Sequence, residues 1–143
     1  MIQLVVDSTA AVPKDFLEQH NNVHVIPLFI SVKGEYVPEN EATIEQVIEY
    51  SESTKKAVPT SQPSTGDFLK LFESLPKEDP VIVICITSGV SGTYNGAVLA
   101  ARQSGRKQIA VINSRTTAVG MMEVLEDGLD MIEKGLSFEE ISK

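Results

Sequence analysis

At 143 residues, with 42% hydrophobic and 22% charged side chains, the chain fits one globular domain that can bury a core. A net charge of −8 without any Lys/Arg cluster argues against nucleic acid and anionic membrane as partners. The single cysteine excludes an internal disulfide and suits a reducing cytoplasm, and the apolar runs are too short to span a bilayer.

Residues 2–6 read as a first strand, entered without the basic start or long apolar run of a secretory signal. Asp7-Ser8-Thr9 closes it, and Pro13 opens a helix through Phe16 and Leu17 to about His20. Ser8 and Thr9 stand at a strand-to-helix junction, where a hydroxyl serves a ligand or braces the loop; bracing is favoured. After the Asn21-Asn22 turn, residues 23–32 read as one second strand, with Pro27 marking an edge or an irregularity. His24 alternates with valines and reads as a surface or hydrogen-bonded residue. Lys33-Gly34 turns a hairpin back through residues 35–37, apolar enough to pack on a partner domain. Thr43 and Gln46 form a capping box before a helix that carries Ile44, Val47 and Ile48 on one face and ends near Tyr50-Ser51.

Residues 59–64, Pro-Thr-Ser-Gln-Pro-Ser, make a stiff loop, because two prolines restrict both themselves and the residues before them. It presents Thr60 and Ser61 to a ligand, while Ser64 and Asp67 cap the next helix. Residues 81–87 are an unbroken, mostly β-branched run, as in a strand covered on both faces. A turn with Ser88, Gly89, Ser91, Gly92 and Thr93 leads from it into a helix ending near Gly105. Ser91 reads as the N-cap, and Gly89 and Gly92 as positions of positive φ or close ligand approach. Backbone N–H groups at a helix start favour an anion, and neutral hydroxyl donors suit a carboxylate better than a triphosphate. No Lys follows the second glycine, so this is not the phosphate loop of nucleotide hydrolases. A turn that only caps a helix explains these residues equally well.

Residues 108–112 form another strand, and residues 113–117 its terminal loop, where Arg115 is expected to pair with an acidic side chain. Val119, Met122, Leu125, Leu129 and Ile132 form a core-facing helix stripe that Gly135 ends. Ser137 and Glu140 start a fresh capping box too near the C-terminus for a stable helix, which suggests a fragment or a missing partner segment. The alternation predicts a three-layer α/β domain over residues 1–143 with a mainly parallel sheet. The loops 7–9, 60–64, 88–94 and 113–117 then gather on one side, and none holds a His or Glu base.

At these loops the sequence resembles the DegV family of bacterial lipid-binding proteins. The matching pieces are Val5-Val-Asp-Ser-Thr9, Pro59-Thr-Ser-Gln-Pro-Ser-Thr-Gly-Asp-Phe68, Ser88-Gly-Val-Ser-Gly-Thr-Tyr94, and Asn113-Ser114 followed by Gly120. The match is to the amino-terminal domain of the family, whose members normally continue into a second, carboxy-terminal α/β domain. The resemblance implies a carrier without catalytic activity that holds a long-chain fatty acid such as palmitate, its tail in a tunnel between the domains. It also implies a fatty acid kinase as partner, phospholipid synthesis as the destination, and no metal or other cofactor. Carried over by position, the ligand-binding residues are Thr60, Ser61, Ser88, Ser91, Gly92, Thr93 and Ser8, with Asp7 beside Ser8. The chain departs from the family at Asn113, Ala118 and Gly120-Met-Met122, which bears on the length of the tunnel. Two other readings stand beside the carrier: a Ser-dependent phosphotransferase or hydrolase, and a regulator that binds a small anion or phosphosugar.

Overall fold

The computed structural model describes residues 1–143. Its centre is a four-stranded, all-parallel sheet in the order β2 (Val23–Ile26), β1 (Gln3–Asp7), β6 (Val81–Cys85), β7 (Ile109–Asn113). β1 and β6 are buried along their whole length, as the apolar run of β6 and the Leu4-Val5-Val6 centre of β1 require. One face carries α1 (Lys14–Gln19), α5 (Ala118–Glu133) and α6 (Phe138–Ile141), which meet Leu4, Val6, Ile82 and Ile84. The other carries α3 (Thr65–Ser74) and α4 (Thr93–Gln103), whose Phe68, Phe72, Ala97 and Ala100 meet Val5, Val81 and Val83. The three expected layers are therefore present.

A second sheet accompanies them: the hairpin expected around Lys33-Gly34, joined by a third strand from residues 60–61 that was not expected. It is antiparallel, in the order β4 (Tyr36–Pro38), β3 (Phe29–Ser31), β5 (Thr60–Ser61). Residues 23–32 are accordingly two strands in two sheets, not one. Ile26 is the last partner of β1, and Pro27, without an N–H, cannot extend the ladder. The Ser8 hydroxyl then accepts from the Leu28 N–H at 2.8 Å, and the chain turns into the small sheet.

Three more expectations need correction. The helix after Thr43, α2 (Ile44–Thr54), runs a turn past its expected end, and its apolar face lies mostly in solvent, with Ile44 75% exposed. In α5, Leu125 and Leu129 are buried and Met122 and Ile132 pack on the same core as expected, but Met121 and Gly128 are also buried and Val119 is 74% exposed. The short α6 forms after all: Ser137 and Glu140 cap it, and Phe138 and Ile141 pack on the core. Tertiary burial supplies what one turn lacks by itself.

His24 sits on edge strand β2 with its Nε2 2.8 Å from the Gln3 Oε1. Burial pushes the imidazole below its ordinary range. The unfolded chain therefore takes up this proton first as pH falls. The stabilising contribution is complete above about pH 6.5 and fades as pH drops toward the folded value. His24→Gln is expected to lose less stability between pH 7.5 and 5.5 than the parent, measured by urea midpoints at both pH values.

Candidate functional site

The chain leaves β1 toward β2 and leaves β6 toward β7, so the connections diverge in opposite directions from two neighbouring strands. Right-handed crossovers then put α1 and α4 on opposite faces and open a crevice beyond the carboxyl ends of β1 and β6. The buried Asp7 bolts that point together. One carboxylate oxygen accepts from the Ile86 N–H at 2.6 Å. The other accepts from the Thr9 N–H at 3.0 Å and from the Thr9 hydroxyl. Cys85, on β6, is held as a neutral thiol: burial, reinforced by the Asp7 charge, pushes its pKa strongly up.

A cleft of about 380 Å³ opens at this crevice, lined by Thr9, Glu39, Thr60, Gln62, Ser91 and Gly92, with Leu28, Ile30, Ile86 and Val90 as its apolar wall. Thr60, Ser91 and Gly92 are thus brought to one small space from two sheets. The Thr60 hydroxyl makes no hydrogen bond within the protein, and neither do the Ser91 and Gly92 N–H groups. Gly92 is itself the residue that caps α4, so the expected N-cap role of Ser91 is corrected. The Ser91 hydroxyl instead accepts from the Thr93 N–H at 3.2 Å and shares a hydrogen with the Thr93 hydroxyl at 2.8 Å.

The other nominated residues stand behind or beside the cleft. Thr93 is fully buried and supports Ser91 rather than facing a ligand. Ser61 follows Thr60 on β5, where successive side chains point to opposite faces; Thr60 faces the cleft and Ser61 faces solvent. The Ser88 hydroxyl accepts from the Asn113 amide at 2.7 Å and ties its turn to the end of β7. Ser8 braces: it accepts from Leu28 and donates to Glu39 at 2.5 Å. Arg115 is exposed, has a φ of 56°, and forms no ion pair with any carboxylate.

Two cleft residues escaped the sequence reading. Glu39 follows β4 and reaches the cleft through the small sheet, whose hairpin was legible but whose pairing with β5, beside the cleft, no local pattern revealed. Gln62 lies between the two hydroxyls of its loop and Pro63, and its amide rests on α4. A Cβ at residue 92 would lie 2.2 Å from the Gln62 Oε1, and one at residue 96 would lie 3.4 Å from its Nε2. Gly92 has a φ of −79°, open to any residue, and Gly89 also lacks a positive φ. The glycine at 92 therefore answers a close approach by Gln62, not a special backbone angle.

A second, more apolar cavity of about 670 Å³ adjoins the cleft, between α2 and β2. Ile30, Glu39 and Thr60 line both, and Val12, Leu17, Val25 and Val47 are among the apolar walls of the larger one. The cleft itself has no basic side chain and one carboxylate, Glu39; the partial positive charge it offers is that of N–H groups at the start of an eleven-residue helix.

A family model described as an uncharacterised protein of the DegV family matches residues 1–143. The DegV domain-containing protein SACOL1460 of Staphylococcus aureus (strain COL) is 37% identical over 142 residues, covering 98% of this chain and 50% of the relative. Among solved structures, DegV, a fatty acid binding protein from Bacillus subtilis, superposes with a TM-score of 0.87 at 31% identity, over 98% of this chain and 50% of that one. A stearic acid-binding protein from Eubacterium ventriosum does so with a TM-score of 0.87 at 30% identity, over 99% of this chain and 50% of that one. The chain spans about half the length of the curated relatives it matches.

Proposed function

The chain belongs to the DegV family, and from that premise we propose that it holds a long-chain fatty acid by its carboxylate in the cleft between Thr60 and Ser91. One observation carries the reading: a free Thr60 hydroxyl, the Ser91 hydroxyl and two unpartnered N–H groups meet in one cleft at the amino end of α4. Such donors satisfy a carboxylate without a cation, and the helix dipole adds to them. The apolar wall of Leu28, Ile30, Ile86 and Val90 suits the first carbons of an acyl chain.

The protein acts as a carrier. It presents the acid to a fatty acid kinase in the cytoplasm, and a second domain completes the enclosure of the tail. No helix is long and apolar enough to cross a membrane. A catalytic serine is disfavoured by the surroundings of Ser91, whose hydroxyl meets Thr93 and no base. His20 turns its Nδ1 to the Phe16 carbonyl and His24 its Nε2 to Gln3.

The test is mass spectrometry of an organic extract of the purified protein. Palmitate or a similar acid is expected, and the pair Thr60→Val with Ser91→Ala is expected to lower its occupancy at least about tenfold. An extract free of fatty acid, or one unchanged by the double variant, would overturn the reading.

Glu39 supplies a further check. Its carboxylate lines the same cleft and repels a bound carboxylate. Glu39→Gln keeps an acceptor for the Ser8 hydroxyl and removes the charge. Palmitate is expected to bind a few-fold more tightly to this variant at low ionic strength, with the gain shrinking in high salt. Titration calorimetry at two salt concentrations measures both.

A further inference from the structure

Thr60 and Ser91 come from separate parts of the fold, one from the antiparallel sheet and one from the turn after β6. A shared grip on one head group requires their spacing to be held. Hydrogen bonds do not hold it: none joins residues 59–63 to residues 86–96. What lies between the two segments is the Gln62 amide, in the room that the absent side chains of Gly92 and Gly96 leave. The buried Pro63 follows, with its carbonyl 4.0 Å from where a Cβ at 96 would stand. The prolines at 59 and 63 keep the rest of the loop from adjusting independently.

We propose that Gln62 is a positioning residue, whose side chain, seated in the space left by Gly92 and Gly96, sets Thr60 against Ser91 and so registers the two halves of the head-group site. The proposal rests on the fatty-acid reading of the same cleft. It assigns the missing side chain at 92 a role in seating Gln62, beside the Gly92 N–H that faces the ligand. Shape carries the effect: the amide fills space that a Cβ at 92 or 96 would need, and a side chain of equal length without an amide occupies the same seat.

Binding of palmitate to the whole chain, by displacement of a fluorescent polyene fatty acid, tests this alongside urea midpoints. Gln62→Ala is expected to weaken binding about tenfold while leaving the midpoint unchanged. Gln62→Met, which refills the seat, is expected to stay within about twofold of the parent. Gly92→Ala evicts the amide and is expected to cost about as much as Gln62→Ala. Added to Gln62→Ala it is expected to cost almost nothing more, because no side chain is left to evict. The Gln62→Ala and Gln62→Met pair decides the matter if Gly92→Ala fails to fold. The proposal is overturned if Gln62→Ala binds like the parent while Thr60→Val does not, an outcome that leaves the carboxylate reading intact. Fully additive costs in the double variant, or a Gln62→Met as weak as Gln62→Ala, would also overturn it. If Thr60→Val and Ser91→Ala bind normally as well, the carboxylate reading fails and takes this proposal with it.

Discussion

Asp7→Ala is expected to lower the unfolding free energy by about 2–4 kcal/mol and to weaken fatty acid binding with it. The carboxylate is wholly buried, and both of its oxygens accept from backbone N–H groups, Thr9 on one side and Ile86 on the other. Removing it strands the Ile86 N–H, which donates at 2.6 Å where no strand pairing replaces the lost acceptor. Ile86 also walls the cleft, so the loss reaches the site. Asp7→Asn is the informative control. Because both oxygens accept, either orientation of the amide turns an NH₂ against an N–H, and the cost is expected to approach that of alanine. Far-UV circular dichroism in urea is the appropriate measurement, since the chain has no tryptophan. Amide exchange at Ile86 reads the same bond directly. An Asp7→Asn protein as stable as the parent would show that the carboxylate is not the bolt.

At the opposite end of the molecule, Arg106→Met is expected to cost a further large amount, about 2–4 kcal/mol. The guanidinium donates five hydrogen bonds to four carbonyls: two to Phe72, at 3.2 and 2.6 Å, and one each to Leu75 at 2.7 Å, Pro76 at 3.0 Å and Asp79 at 3.1 Å. It thereby closes the carboxyl end of α3, where unpaired carbonyls and the negative end of the helix dipole meet. It also holds residues 76–79, from which β6 departs. Methionine keeps the stem and removes the donors, so the difference isolates the bonds. Arg106→Lys is expected to recover only part of the loss, because an ammonium cannot span four carbonyls with a planar fork. Since α3 carries Phe68 and Phe72 into one of the two cores, the loss is expected as a lower urea midpoint without a change of slope. An unaltered midpoint would refute the assignment.

How much of this was readable beforehand follows from the range of each interaction. The capping boxes at Thr43, Ser64 and Ser137 were legible because each links residues three apart, although the helix that follows Ser137 was not expected to hold. The buried strands β1 and β6 and the turn after β6 were equally plain. Of the small sheet only the Lys33-Gly34 hairpin was, not the third strand or the break before Leu28. Pro27 signalled an irregularity, but whether the chain kinks or changes sheet is settled by the Ser8 hydroxyl meeting Leu28, twenty residues away. Arg106 drew no notice, because its partners are backbone carbonyls, which every residue possesses.

The site divides along the same line. The residue chemistry — neutral hydroxyls and glycines at strand-to-helix junctions — was determined by the sequence alone, since composition and local turn grammar need no neighbours. Which hydroxyls reach the cleft was decided only by tertiary structure. Thr60 and Ser61 are adjacent and alike, yet pairing with β3 turns one inward and one outward. Ser91 faces the cleft because Thr93 is buried beneath it, and Gly92 is glycine because Gln62, thirty residues earlier in the chain, lies across it. Contacts between distant residues leave no periodicity in a single sequence; they exist only once the sheets have set those residues side by side.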